Sequence, residues 1–310
     1  MRKKQSTDMN HALLMIRPSA FGFNPETASS NAFQSQSLAN EQEIAIGALR
    51  EFDAMVEVLH KNHIEVIIID DTEYPHTPDA IFPNNWFSTH EDGTLVLYPM
   101  MAPNRRLERR ADIIDILKSR FTLNMIHDLS IHEHEHVFLE GTGSIVFDHT
   151  SRFAFAALSE RTDPILFSEC CSLLDYTPIT FRAFHEHGLP VYHTNVLMHI
   201  HSSIAGLCSD MIHPSDKKAV LDAMQIHADH LIELSSVQVH QFAGNMLCIL
   251  NAKGEPCLIG SKTGYACLNQ QQMQLIERSC LPVSVNIPTI EKVGGGSARC
   301  MIAEIMLPQK

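Results

Sequence analysis

Near its C-terminus the chain carries a cysteine that follows three consecutive glycines. Cys300 lies in the segment Gly294–Met301, which reads GGGSARCM. Consecutive glycines let the backbone turn sharply or pass close to a ligand, and a thiol after such a turn can face a cleft in which N–H groups stabilise its thiolate. The pattern is therefore typical of a nucleophile. A buried structural cysteine is the alternative, because free cysteine is among the most buried residue types.

A histidine and a glutamate, each beside small polar residues, are candidates for the acid–base partners of this thiol. His193 begins an apolar run, where an imidazole can act as general acid and base. With 19 histidines in the chain, its position alone does not single it out. Glu140 precedes the small residues Gly141–Ser144, which leave room for its carboxylate to project into a pocket. A solvated glutamate at a turn is the alternative.

A third group of polar residues surrounds the only tryptophan. Asp79, Asn84 and Asn85 lie in the otherwise apolar and aromatic segment Pro78–Phe87. Polar groups in such a segment need hydrogen-bond partners if they are buried, and a substrate can be that partner. We therefore interpret the three residues as candidates for substrate binding. An ordinary loop around a partly buried Trp86 is the alternative.

The tract His132–His136 alternates histidine with glutamate. In a strand its three imidazoles would point to one side and could bind a metal ion. A solvated edge strand has the same composition. We expect no metal and no other cofactor, because a cysteine nucleophile needs neither.

Composition limits the class of partner. The chain has 310 residues, of which 45% are hydrophobic, and its net charge of −13 argues against nucleic acid or an anionic membrane surface as a partner. No stretch approaches the roughly 18 consecutive apolar residues that span a bilayer, and the basic N-terminus is not followed by the apolar region of a signal peptide. We expect a cytoplasmic protein with reduced thiols that acts on a small molecule. A homo-oligomer is left open.

The elements that must position these residues are short and repeated. Apolar segments between turn residues predict strands at Ala12–Ile16, Ile64–Ile69, Thr94–Tyr98, Gly143–Phe147, Phe153–Ala157, Val196–Ile200, Met246–Leu250 and Met301–Met306. Amphipathic patterns predict helices at Glu41–Asn62, Arg106–Arg120, Ser215–Leu234 and Leu268–Ser279. The order strand, strand, helix, strand returns about five times. We predict one α/β domain over residues 1–310. A doubly wound sheet is the alternative, but no glycine-rich phosphate turn follows the first strand.

Taken in chain order, from Asp79 to Met301, these motifs resemble those of the guanidino-group modifying superfamily. That superfamily includes arginine deiminase, dimethylarginine dimethylaminohydrolase, glycine amidinotransferase and succinylarginine dihydrolase. The chain is most similar to the citrulline-utilisation hydrolase group, through Phe82–Trp86 and Asn104–Arg110. The resemblance implies a five-fold pseudosymmetric α/β propeller of ββαβ modules, with the active site in its central channel.

The resemblance also implies roles for individual residues. It makes Cys300 the nucleophile, His193 the general acid and base, and Glu140 the carboxylate that orients and charges the histidine. It places a substrate-binding arginine at Arg161. A second arginine, which holds the α-carboxylate of the substrate in some members, falls on Arg105 or on Arg106, and we choose Arg106.

Departures from the deiminase pattern bear on the substrate. Deiminases that bind the cationic guanidinium have a carboxylate where this chain has Asn84-Asn85, and many have an aspartate at the position of Asn195. An asparagine offers an acceptor and donors to a neutral urea and leaves no charge uncompensated. We therefore expect citrulline to be cleaved to ornithine, ammonia and carbon dioxide through a covalent Cys300 intermediate. Asp79 and Glu140 keep arginine possible as a substrate of a deiminase or dihydrolase, and a non-catalytic propeller that binds amino acids is a further alternative.

The polar stretch Phe21–Asn40 shows little periodicity. Long loops without secondary structure in compact domains are often functional, so we interpret it as a lid.

Overall fold

The computed structural model describes residues 12–37, 39–201, 204–225 and 230–310. Within them lie fifteen strands: β1 (Ala12–Arg17), β2 (Glu65–Asp70), β3 (Phe87–Thr89), β4 (Thr94–Leu97), β5 (Met125–Asp128), β6 (Val146–Asp148), β7 (Phe153–Ala157), β8 (Thr177–Phe181), β9 (Met198–Ile200), β10 (Ile204–Leu207), β11 (His230–Glu233), β12 (Leu247–Leu250), β13 (Pro256–Ser261), β14 (Leu281–Val285) and β15 (Ala303–Ile305). The same residues contain ten α-helices: α1 (Glu41–Lys61), α2 (Pro103–Arg106), α3 (Ala111–Arg120), α4 (Gly141–Ser144), α5 (Pro164–Leu174), α6 (Pro214–Gln225), α7 (Ser236–His240), α8 (Lys262–Ala266), α9 (Gln270–Ser279) and α10 (Pro288–Gly294).

The strands form five three-stranded sheets of one design. In each sheet the first pair is antiparallel and the second pair is parallel, and the parallel strands are joined by a crossover that contains a helix. Four sheets are continuous in sequence: β3-β4-β5, β6-β7-β8, β9-β10-β11 and β12-β13-β14. The fifth joins the two ends of the chain, because β15 pairs antiparallel with β1, which pairs parallel with β2. The predicted five-fold α/β propeller of ββαβ modules is confirmed.

The central strands separate neighbouring hydrophobic clusters, which explains their continuous apolar sequences. In β1, Leu13 and Met15 pack into one cluster, whereas Ala12, Leu14 and Ile16 pack into the next. A strand that is buried on both faces reads as an uninterrupted apolar run rather than as an alternation. This is the signal by which the sequence revealed the central strands.

The longest crossover helix is defined by its cap and its apolar face. Asn40 accepts a hydrogen bond from the backbone N–H of Glu43, and the Glu43 carboxylate accepts one from the N–H of Asn40. Ala48, Phe52 and Leu59 of α1 are fully buried. The predicted helix and the observed one differ by one residue at the C-terminal end.

Several predicted elements differ from the structure. Before β6 and β9 the chain makes a helical turn, so the strands predicted at Gly143 and Val196 begin at Val146 and Met198. The predicted helix from Arg106 is interrupted, because Arg110 is extended and α3 begins after it. The predicted helix Ser215–Leu234 covers α6, residues 226–229, which lie outside the described residues, and β11. The strand was predicted as helix because a short apolar run does not distinguish the two.

Among the described residues, no helix combines the length and the apolar character needed to cross a membrane.

Candidate active site

Glu140 and His193 form a buried pair at the start of two modules. The helical turns that precede β6 and β9 bring the two side chains together, and the Nε2–H of His193 donates to Glu140 Oε2 over 2.8 Å. The same carboxylate oxygen lies 3.3 Å from Nη1 of Arg161, and Oε1 accepts the backbone N–H of Met101 over 3.0 Å. Glu140 is completely buried, so these partners replace the water that a carboxylate would otherwise bind.

The electrostatics of the pair fix its protonation. Burial opposes the charge on Glu140, but Arg161 and the hydrogen bond from His193 outweigh it and hold the pKa of Glu140 well below its usual range. Burial lowers the pKa of His193 to about 4, although Glu140 acts in the opposite direction. At neutral pH the carboxylate is therefore ionised and the imidazole is neutral. With the proton on Nε2 held by Glu140, the lone pair of the imidazole lies on Nδ1.

Cys300 lies in the turn between α10 and β15 and is 4% exposed. Its Sγ faces two side-chain amides: Nδ2 of Asn245 donates over 3.2 Å and Nδ2 of Asn195 over 3.5 Å. The sulfur of Cys300 therefore has two amide donors within hydrogen-bonding distance. The turn depends on Gly295, which ends α10 with φ of +66° and whose Cα would carry a Cβ only 2.7 Å from Nδ2 of Asn31.

In every module the residue three positions before the first strand is buried. These residues are Asn84, Gly143, Asn195, Gly244 and Cys300, which precede strands starting at 87, 146, 198, 247 and 303. Gly143 must be glycine, because a Cβ there would lie 2.7 Å from Nδ1 of His193. Cys300 thus occupies a position that is buried in every module.

Asn245 takes part in the site but was not predicted from the sequence. It stands two residues before β12, as Asn85 stands two residues before β3. Its Nδ2 also donates to the backbone carbonyl of Asn195 over 2.9 Å, which orients the amide toward Cys300. An alignment of the five modules by their first strands would have identified it.

Arg105 organises the wall that faces the nucleophile. Its guanidinium binds Glu108 through two hydrogen bonds of 2.8 and 3.0 Å and donates to Asn85 Oδ1 over 2.8 Å. Asp79 Oδ2 lies 3.8 Å from its Nε and accepts Nδ2 of Asn24 over 2.7 Å. Burial raises the pKa of Glu108 to about 7 and also raises the pKa of Asp79, in both cases against the positive charge of Arg105.

Several polar atoms of this wall are buried without a hydrogen-bond partner. They are Oδ1 of Asp79, both amide atoms of Asn84 and Nδ2 of Asn85. Buried polar atoms are nearly always paired, so unpaired ones in a cluster indicate where a ligand binds. Asp79 and Asn85 line a cavity of about 20 Å³ together with Arg105, Arg161, His193 and Cys300.

The segment Phe21–Asn40, interpreted above as a lid, lies against this cavity. Thr27 and Asn31 line it, the Thr27 carbonyl accepts Nη2 of Arg161 over 3.3 Å, and Asn31 donates to the carbonyl of Gly294 over 3.2 Å. The enclosed volume has room for little more than one water molecule. A substrate of amino-acid size therefore requires this segment to move, and that motion stays a prediction.

Three of the predicted substrate contacts, Asn84, Arg106 and Asn195, do not line the cavity. Arg106 does not line the cavity: its Nε donates to the carbonyl of Met100 over 3.0 Å, its Nη2 to that of Met101 over 3.2 Å, and its Nε lies 3.5 Å from Glu133. Successive side chains of a helical turn diverge by about 100°, so only one of the two adjacent arginines can face the cavity. That residue is Arg105.

The histidine tract does not have the geometry of the metal site considered above. Ser130–Glu135 forms a 3₁₀-helix rather than a strand, and His136 adopts the left-handed conformation. Glu133 is buried in a two-fold hydrogen bond with Arg109, at 2.6 and 2.8 Å. The tract therefore has a structural role: through Glu133 it fixes the loop after β5 to Arg109.

Over residues 17–307 the chain matches the family described as N,N dimethylarginine dimethylhydrolase, eukaryotic. The chain belongs to this family. The predicted membership of the guanidino-group modifying superfamily is confirmed. A comparison with curated proteins gave no match in sequence.

Solved structures with the same fold include enzymes that act on arginine derivatives. The N-terminal domain of ArgZ, an arginine dihydrolase from the ornithine–ammonia cycle in Cyanobacteria, was solved as a cysteine-to-serine mutant bound to substrate. It has a TM-score of 0.75 at 14% identity, over 96% of this chain and 99% of that domain. AgrE with L-arginine gives 0.74 at 15% identity, over 96% of this chain and 40% of the other. A dimethylarginine dimethylaminohydrolase in an adduct with S-methyl-L-thiocitrulline gives 0.63 at 12% identity, over 95% and 99%. The chain spans 41% of the length of unliganded ArgZ.

Proposed function

We propose that the protein hydrolyses a C–N bond of a small ureido or guanidino compound through a covalent Cys300 intermediate, and that L-citrulline is its substrate. The observation that carries the proposal is the amide surface around the nucleophile. Asn195 and Asn245 donate to Sγ, and the amides of Asn84 and Asn85 include buried atoms without partners. Neutral amides satisfy the oxygen and nitrogens of a urea without leaving a charge uncompensated.

Catalysis begins with proton transfer and attack. The neutral His193 takes the proton of the Cys300 thiol on Nδ1, and Glu140 stabilises the imidazolium that forms, because its carboxylate accepts the Nε2–H. The thiolate then attacks the ureido carbon. Cleavage of a C–N bond follows when His193 returns the proton to the departing nitrogen, which leaves a thiocarbamoyl group on Cys300.

Hydrolysis of that intermediate uses the same histidine as a base. His193 takes a proton from water, the resulting hydroxide attacks the thiocarbamoyl carbon, and the C–S bond breaks with return of the proton to sulfur. The carbamate that is released decomposes, so that the sum of both steps is citrulline and water giving ornithine, ammonia and carbon dioxide. Asn195 and Asn245 support the thiolate as nucleophile in the first step and as leaving group in the second.

Arginine is the second candidate substrate, and Asp79 is the observation that favours it. All three carboxylates near the cavity have arginine partners: Glu108 and, at 3.8 Å, Asp79 pair with Arg105, and Glu140 pairs with Arg161. Asp79 retains a buried oxygen without a partner, which would suit a cationic guanidinium. The relatives named ArgZ, AgrE and dimethylarginine dimethylaminohydrolase act on or bind arginine derivatives, which supports this second reading.

One assay distinguishes the candidates. Ammonia and ornithine are measured from citrulline and from arginine side by side, with the wild type, Cys300→Ser and Cys267→Ser. Cys267 is a half-buried thiol that does not line the cavity, so its variant is the matched control. We expect a higher kcat/KM for citrulline and loss of turnover in Cys300→Ser alone. Faster release from arginine would select the second candidate, and thermal stabilisation by either amino acid without ammonia release would identify a binding protein.

A further inference from the structure

A second cavity of about 90 Å³ lies between the first strands of four modules. It is lined from β6, β9, β12 and β15, and no residue lines both this cavity and the one that contains Cys300. Two carboxylates, Asp148 and Glu304, face it together with one cation, Arg299. Arg299 is paired with Glu304 over 2.9 Å, so one carboxylate charge is in excess. The charge around this cavity therefore favours a cation.

Three side chains with metal-binding atoms meet at this cavity. His201 and Cys248 line it, and Cys280 lies behind Cys248, with 3.5 Å between the two sulfur atoms. The three ligand atoms all lie within 4.8 Å of one another. They come from separate elements: His201 follows β9, Cys248 belongs to β12, and Cys280 lies between α9 and β14. The fold rather than a local sequence motif brings them together, since the cysteines are 32 residues apart.

The spacing of the two sulfurs agrees with tetrahedral coordination. With a metal–sulfur bond of about 2.3 Å, two thiolates on a tetrahedral zinc ion lie about 3.7 Å apart, and a thiolate and an imidazole nitrogen lie slightly closer. The observed 3.5 Å between the sulfurs therefore needs an adjustment of only a few tenths of an ångström. Two thiolates and an imidazole are the ligand types that zinc prefers.

We propose that His201, Cys248 and Cys280 bind a thiophilic divalent cation of the zinc type, with its fourth coordination position open to the second cavity. Within the described residues, these three are the one group of histidine, cysteine and carboxylate side chains that could hold such an ion. The site revises the expectation from the sequence that the chain binds no metal. Its three ligands do not line the cavity of Cys300, although Asn195 lines the second cavity and also donates to Cys300 Sγ.

The test uses Co²⁺ and Zn²⁺ as probes on the purified full chain. The protein is reduced, dialysed against chelator and titrated with Co²⁺, and the thiolate-to-cobalt charge-transfer absorption is recorded. We expect one Co²⁺ per chain with thiolate coordination, displaced stoichiometrically by Zn²⁺. Cys248→Ser and His201→Asn should each weaken Zn²⁺ binding by at least about 100-fold, since even groups that only orient metal ligands contribute about 10- to 100-fold.

Two controls make the result specific. Cys267→Ser removes a thiol outside the group, and Cys300→Ser removes the active-site thiol, which could itself bind a metal. Both should retain the cobalt absorption. The proposal is overturned if the wild type gives no thiolate–cobalt absorption, if the absorption disappears in Cys300→Ser, or if it survives in both Cys248→Ser and His201→Asn. Formation of a Cys248–Cys280 disulfide in air, with no metal bound by the reduced protein, would also overturn it. Because His201 is half-buried whereas Cys248 is buried, its variant keeps the test available if Cys248→Ser fails to fold.

Discussion

The variant Glu140→Gln tests the role of the buried carboxylate behind His193. In the proposed mechanism His193 becomes positively charged when it takes the proton of Cys300, and the 2.8 Å hydrogen bond to Glu140 stabilises that charge. A hydrogen bond to a charged group contributes about 1.5–3 kcal/mol, which corresponds to roughly 10- to 150-fold in rate. Glutamine preserves the shape and an acceptor but not the charge, so we expect kcat/KM to fall by that factor.

Stability must be separated from catalysis in this experiment. Glu140 is also the partner of the buried Arg161, and removing one partner of a buried ion pair costs about 3–5 kcal/mol. Glu133→Gln is the matched control, because Glu133 is buried and bound twice by Arg109 but does not contact His193. Both variants should unfold at lower urea concentration, and only Glu140→Gln should lose activity. Unchanged kcat/KM in Glu140→Gln, or an equal loss in Glu133→Gln, would refute the reasoning.

Three further predictions concern the pH dependence of stability, the space beside His193 and the charge of Asp79. Four buried histidines have pKa values that burial lowers to about 3 or 4: His90, His185, His193 and His199. In the unfolded chain these histidines take up protons near pH 6.5, whereas in the folded chain they do not. Each should therefore reduce the free energy of unfolding by up to about 1.4 kcal/mol per pH unit from pH 6.5 down to about 4. A urea midpoint that stays constant between pH 7 and 5 would contradict this. Gly143→Ala should lower kcat about 100-fold, because its Cβ would displace His193, whereas wild-type kcat in this variant would show that the imidazole has free space. Asp79→Asn should raise the ratio of citrulline to arginine kcat/KM at least about tenfold through loss of a charge-assisted hydrogen bond, and an unchanged ratio would remove Asp79 from guanidinium recognition.

Some parts of the fold could be predicted from the sequence because their signals are local. The central strands are buried on both faces and read as apolar runs, and the capping box at Asn40 marks the start of α1. The strand β5 gave no such signal, because three of its four residues are exposed. Whether Arg105 or Arg106 faces the cavity depends on the orientation of a single helical turn. The periodicity of so short a segment does not determine that orientation.

The site was partly predictable for a different reason. Cys300, His193 and Glu140 stand in motifs whose order resembles a known superfamily. The structure places Cys300 and His193 around one cavity, and Glu140 is hydrogen-bonded to His193. Asn245 stands in no such motif, and its function depends on the repeat, which brings equivalent positions of five modules to one centre. Three statements about the protein stay predictions: that residues 1–310 form a single domain, that the protein is cytoplasmic, and that it can form a homo-oligomer.

The central claim is that Cys300 forms a covalent bond to the ureido or guanidino carbon of the substrate. The most direct measurement is mass spectrometry of the Cys300 peptide after the enzyme is quenched with acid during turnover of citrulline and of arginine. We predict an adduct on Cys300 that disappears as substrate is exhausted, and no adduct on the same peptide of the wild type quenched without substrate. Full release of ammonia by Cys300→Ser, with no modified cysteine in the wild type, would contradict the mechanism.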